Sequence, residues 1–160
     1  MDATPPKSGE LVRLVRQLRR ARRAFIDAAI SLGSGGLETV LDDSDWTVRR
    51  LVEYCRARER FVFSRMYHFF DEESKVYDSP AASLDHIAPE DPHKDFPSEC
   101  SDVWLAGRET ELWLDVIEAE DLDESRPASP DWPHPGWTIR GVFQTTMALY
   151  REKAGTLKSL

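Results

Sequence analysis

Trp46-Thr47-Val48-Arg49 heads the stretch WTVRRLVEYCRARERFVFSRM (residues 46–66), and Trp137-Thr138-Ile139-Arg140 heads GWTIRGVFQTTMALYREKAGTL within residues 136–157. The two openings are nearly the same tetrapeptide, and each precedes a run with helical periodicity. A threonine at such a point caps exposed backbone amides, while a tryptophan just before it packs back onto the first turns. Two helices therefore enter the fold in equivalent ways. In the first, Val48, Leu51, Val52, Cys55, Val62, Met66 and Phe69 form one apolar stripe to about Phe70, interrupted by Glu59. In the second the stripe is Ile139, Val142, Phe143, Met147, Tyr150 and Leu157.

Two further helices flank these. Leu11, Leu14, Leu18, Ala21, Phe25, Ala28 and Leu32 recur at steps of three and four, with Ser8 placed to cap and Gly33-Ser34-Gly35-Gly36 placed to terminate. Val103, Ala106, Thr110, Leu114 and Ile117 make another stripe, flanked by Trp104 and Trp113 and capped by Ser98 or Ser101. Residues 71–97 contain Pro80, Pro89, Pro92 and Pro97 among many acids and show no period, so they read as a long connection. Residues 125–136 read as a second one. Nothing alternates with the two-residue period of a strand. The pattern predicts a single all-α domain over residues 1–160, a four-helix bundle with long crossover connections, with residues 1–7 flexible.

Composition bounds the function classes. The chain has 160 residues, 41% hydrophobic and 31% charged, enough for a real core. No run of 18 apolar residues is present, which predicts no membrane span, and a polar start without an apolar leader makes the cytoplasm the default compartment. Net charge is −8. The first helix is nevertheless basic, with Arg13, Arg16, Arg19, Arg20, Arg22 and Arg23. Falling between apolar positions, these arginines read as a solvated face that pairs with the acidic middle of the chain, not as a nucleic-acid surface. Cys55 and Cys100 have no CxxC spacing and read as small core hydrophobes; a thiolate role for Cys55 would draw on Arg56 and Arg58. No phosphate-binding glycine loop, nucleophile elbow or HExxH motif occurs.

The order and spacing of these elements resemble the DinB-like (damage-inducible) superfamily. WTVRRLVEYCRARERFVFSRM, with Glu59, is similar to its second helix; GRETELWLDVIEAEDL, with Arg108, to its third; and GWTIRGVFQTTMALYREKAGTL to its fourth. The resemblance covers almost the whole chain. It implies a helical bundle, a stress-associated role, frequent homodimers, and relatives among thiol-dependent transferases and detoxification enzymes that use a divalent metal. Many members bind that metal through one histidine on helix two and two on helix four. At the matching positions this chain has Tyr54, Leu149 and Lys153. The implied metal site is therefore lost, and no cofactor is expected. His68, His86, His93 and His134 do not rebuild it. His86 and His93 with Asp85, Glu90, Asp91 and Asp95 read as exposed loop residues, not a metal cluster.

What remains is a candidate pocket of Tyr54, Glu59, Arg108, Leu149 and Lys153 for a small-molecule ligand. Glu59 on an apolar stripe needs a partner, expected from Lys153, Arg108, Arg140 or Tyr54. If Tyr54, Glu59 and Lys153 converge, they form the catalytic candidates of a metal-independent transferase or hydrolase. If not, the polar network only holds the bundle together, with a structural homodimer as a further alternative.

Overall fold

The computed structural model describes residues 9–33, 35–41, 45–64, 95–112, 117–124 and 138–160. Among them are four α-helices: α1 (Gly9–Ile30), α2 (Val48–Ser64), α3 (Phe96–Leu112) and α4 (Ile139–Lys158). They pack as a four-helix bundle. α1 lies against α4 and α2 against α3, and contacts of α1 with α3 and of α2 with α4 close the ring.

Ion pairs between helices give the directions. Arg49 meets Glu99, Arg56 meets Asp102 and Arg60 meets Glu109, so α2 and α3 run parallel. Arg140 meets Glu10 and Tyr150 meets Phe25, so α1 and α4 are parallel too. The end of α1 lies near the start of α2, while Arg22 reaches Glu59, which makes that pair antiparallel. The order is up-down-down-up. Parallel neighbours cannot be joined by a tight turn, which accounts for the long connection between α2 and α3.

The stripes read from the sequence face the core. Leu11, Leu14, Leu18, Ala21, Phe25 and Ala28 are buried on α1, as are Val48, Leu51, Val52 and Cys55 on α2 and all six stripe residues of α4. On α3, Val103, Ala106 and Thr110 are buried. Ile117 is fully buried as well, but it lies beyond α3, next to a 3-10 turn at Ala119–Asp121. Leu114, Met66, Phe69, Trp113, Trp132 and Trp137, the four histidines and residues 1–7 lie outside the described residues.

Local signals set the helix ends. Gly33 has φ +76°, a left-handed conformation that glycine adopts without the Cβ clash, and it stops α1 where the glycine cluster predicts. Thr47 Oγ1 accepts from the Arg50 amide at 3.2 Å and Thr138 Oγ1 from the Gly141 amide at 3.0 Å. An isolated antiparallel bridge between Val40 and Thr47 brings the chain into α2. α3 departs from expectation: Asp95, not Ser98 or Ser101, is its cap, its Oδ1 accepting from the Ser98 amide at 2.9 Å. An aspartate at the N-cap also complements the helix dipole, and Pro97 is tolerated in the first turn, where amides lack partners. Replacing Thr138 with alanine is expected to cost about 1 kcal/mol, read as a lower urea midpoint at unchanged m-value.

One arginine contradicts the picture of α1 as a solvated basic face. Arg22 is only 1% exposed, whereas Arg23 pairs with Asp27 on the surface. Arg22 points inward because α3 offers Gly107 opposite it, and a Cβ there would fall within 3.0 Å of the guanidinium Cζ, Nε and Nη1.

Candidate functional site

Between α2 and α4 lies a pocket of about 600 Å³, within the range of small-molecule sites. Tyr54 and Arg58, one turn apart, come from α2; Thr145, Leu149, Lys153 and Thr156 form a matching stripe on α4. Leu41, Trp46, Leu51 and Ala148 add apolar wall, and Glu152 lies at the side. The Trp46 ring meets the Tyr54 ring edge to face, centroids 5.2 Å apart, while the Arg50 guanidinium stacks over Trp46 at 4.4 Å. The tryptophan that opens α2 thus doubles as a pocket wall. Arg58 Nη1 donates to the Tyr54 hydroxyl at 3.1 Å, which fixes both polar ends in one place. Lys153 Nζ lies 3.4 Å from Glu152 Oε1, but Glu152 is 70% exposed and holds the ammonium weakly.

Tyr54, Leu149 and Lys153 therefore line one cavity. Two other residues expected with them do not. Arg108 is exposed, on the outside of α3, and its charge acts on Glu111. Glu59 is fully buried and does not line the pocket.

The partners of Glu59 differ from all four that the sequence suggested. Arg22 of α1 binds it through both arms, Nε to Oε2 at 3.1 Å and Nη2 to Oε1 at 2.5 Å. The Tyr150 hydroxyl of α4 donates to Oε2. Arg22 Nη1 also approaches Glu111 of α3 at 3.7 Å, and Glu111 is held by Arg19 in a two-pronged pair at 2.9 and 2.8 Å. Glu59 thus ties α2 to α1 and α4, and Arg22 extends the network to Glu111 on α3. Burial, and then the Glu59 charge, push the Tyr150 hydroxyl far above its ordinary range, so it stays protonated and donating. Arg140, another suggested partner, instead bridges Asp123 at 2.6 and 2.9 Å and Glu10 at 2.6 Å. Tyr54 bonds Arg58, and Lys153 faces Glu152.

The thiols offer no nucleophile. Burial drives the Cys55 thiol well above its usual range and pushes Cys100 up to about 11, despite the arginines near Cys55.

No family model, curated protein or solved structure matches this chain.

The donor set at the three positions implied by the resemblance does not fit a divalent metal. A phenol already bonded to a guanidinium, an aliphatic side chain and an ammonium supply neither imidazole nor carboxylate, and two cations nearby oppose a third. Among the described residues, no group of three or more His, Cys, Asp or Glu side chains is placed to hold a metal ion, and no helix is long and apolar enough to cross a membrane.

Sequence reasoning missed three residues here. Arg58 lies one turn after Tyr54 in the sequence, a spacing that places both on one helix face. Arg22 carried no signal separating it from five neighbouring arginines. Tyr150 sat on the apolar stripe, where its ring was anticipated and its hydroxyl was not.

Proposed function

We propose that the protein is a metal-free, divergent relative of the DinB-like bundles that binds small organic anions with an apolar body in the α2–α4 pocket. The observation that carries this reading is the convergence of Tyr54, Leu149 and Lys153. These positions come from two helices far apart in sequence, were selected only by the resemblance, and line the same cavity. Leu41, Leu51, Trp46 and Leu149 accept an apolar body, while Arg58, Lys153 and the Tyr54 hydroxyl accept a carboxylate or sulfonate at one end. A cytoplasmic, stress-associated role belongs to the same reading, inherited from the resemblance.

A binding role fits the geometry better than a metal-independent transferase or hydrolase. That alternative needs Tyr54, Glu59 and Lys153 together, and Arg22 and Tyr150 occupy both oxygens of Glu59 away from the pocket. Pairing of two copies also follows from the resemblance, and a solution mass of twice one chain by light scattering would establish it.

The test compares anilinonaphthalene sulfonate with neutral phenylnaphthylamine by fluorescence titration. The sulfonate is expected to bind more tightly, and Lys153→Gln to raise its Kd about five- to tenfold, equivalent to ~1–1.4 kcal/mol, while the neutral dye is little affected. Leu149→Trp, which fills the cavity, should abolish both signals. Equal affinity for the two dyes, with no effect of either substitution, sinks the proposal.

A further inference from the structure

A second pair of buried carboxyls lies on the opposite side of α2, away from the pocket. Glu53 on α2 is 2% exposed and Glu99 on α3 is fully buried; both lie where α2 packs on α3, and Glu99 acts directly on the Glu53 carboxyl. Among the described residues, the Oε2 of each receives no donor. Two ionised carboxylates have no proton with which to bond, and their mutual repulsion would be strong out of water. The arginines beside them on α2 lower the Glu53 carboxyl but also serve other carboxyls. From α2, Arg49 Nη1 reaches Glu99 Oε1 at 3.3 Å while its Nη2 serves Glu38 of the 3-10 turn at Gly36–Glu38, at 3.0 Å. Arg56, also on α2, donates to Asp102 of α3 at 3.0 Å. Among the described residues, these two guanidiniums are shared with Glu38 and Asp102, and beside Glu99 the buried Cys100 thiol stays neutral.

We propose that Glu53 and Glu99 share one proton, and that this proton is a pH-sensitive latch holding the first turns of α3 against α2. With the proton present, one Oε2 donates to the other and the interface is satisfied. When it leaves, two like charges remain in a dry contact between parallel helices, and α3 loosens.

The geometry agrees with the direction of titration. Burial first, then the bond to Glu99 and its charge, raise the Glu53 carboxyl from 4.5 to about 7. A raised acid binds its proton more tightly in the folded chain than in the unfolded one. Its contribution is therefore full below about pH 4.5, shrinks as pH rises, and is gone above about pH 7. The carboxyls of Glu10, Asp95, Glu111 and Asp123 act the other way, because guanidinium partners or helix capping hold them low; their contributions are lost only as the pH falls below this window and are constant across it.

The experiment follows urea unfolding of the full chain and of Glu53→Gln from pH 5 to 8. The glutamine amide donates permanently to Glu99 and does not titrate. The chain's four histidines are common to both proteins, so the difference between the two curves is the reading. The unfolding constant of the wild type relative to the variant is expected to rise on the order of a hundredfold across this range. Hydrogen exchange, corrected for intrinsic rates, should show α3 losing protection before α1. Carbon-13 carboxyl titration of the wild type provides a check that needs no variant, with one glutamate titrating near neutrality. Parallel curves for the two proteins, or no glutamate carboxyl titrating above pH 6, overturn the proposal.

Discussion

Replacing Glu59 with alanine is expected to destabilise the protein by about 3–5 kcal/mol, the largest loss of any single substitution considered, because it leaves Arg22 charged and buried without its main partner. Much of that loss is desolvation, not attraction. The pair, taken as a unit, contributes far less than either truncation suggests. The double replacement Arg22→Met with Glu59→Met removes both charges and leaves apolar side chains in their place. It is therefore expected to cost markedly less than Glu59→Ala alone. Tyr150→Phe should fall between, at about 1–3 kcal/mol, since it strips one donor from a carboxylate that keeps its guanidinium. Urea denaturation of the four proteins checks the ordering. A double variant as unstable as Glu59→Ala would show that the network contributes net attraction.

Gly107→Ala is the second large effect, and its sign opposes simple helix propensity. Alanine is favoured over glycine inside a helix by about 1 kcal/mol. Here the added methyl meets the Arg22 guanidinium, which cannot swing aside while both arms are bound to Glu59. Overpacking of this kind costs about 1–3 kcal/mol, and displacing the arginine brings in the penalty of a broken buried pair. A net loss of about 2–4 kcal/mol is expected. The diagnostic is the background. In Arg22→Ala protein, where no guanidinium occupies the space, Gly107→Ala should be neutral or stabilising. Equal costs in both backgrounds would remove the close approach as the cause.

These two positions also show where sequence reading stops. The helices were readable because their signals are local: a threonine cap, a stripe at steps of three and four, a glycine that ends α1. All six stripe residues of α4 are buried, as are six of the seven on α1, the seventh, Leu32, being half-buried just beyond the helix end. That Glu59 required a partner was equally readable, since a carboxylate on an apolar stripe cannot remain unpaired. Its identity was not. Arg22 becomes the partner only because Gly107, 85 positions away, leaves a gap on α3 at that height of the bundle. The Glu53–Glu99 contact has the same character. On α2, Glu53 reads as an ordinary charged residue, and only the parallel placement of α3 turns it inward. The pocket was partly accessible, because Tyr54, Leu149 and Lys153 were picked out by position, while Arg58 emerges from the side-chain geometry. Arg108 fails for a rotational reason: it falls on the outer arc of α3, opposite Val103, Ala106 and Thr110.

The up-down-down-up order has a consequence for how the chain reaches this state. The most extensive packing of α1 is on α4, and the Glu10–Arg140 ion pair closes a loop of 130 residues. During synthesis α1 emerges with its apolar stripe formed and its permanent neighbour not yet made. Before α4 is made, the most extensive pairing open to the growing chain is α2 with α3, and full docking of α1 waits for α4. Contacts closed over such distances slow folding, since the entropy of closure is lost before the packing is gained. The interval leaves an arginine-rich helix with a bare leucine stripe exposed to other nascent chains. For this protein, the speed of translation through residues 31–138 sets how long that interval lasts.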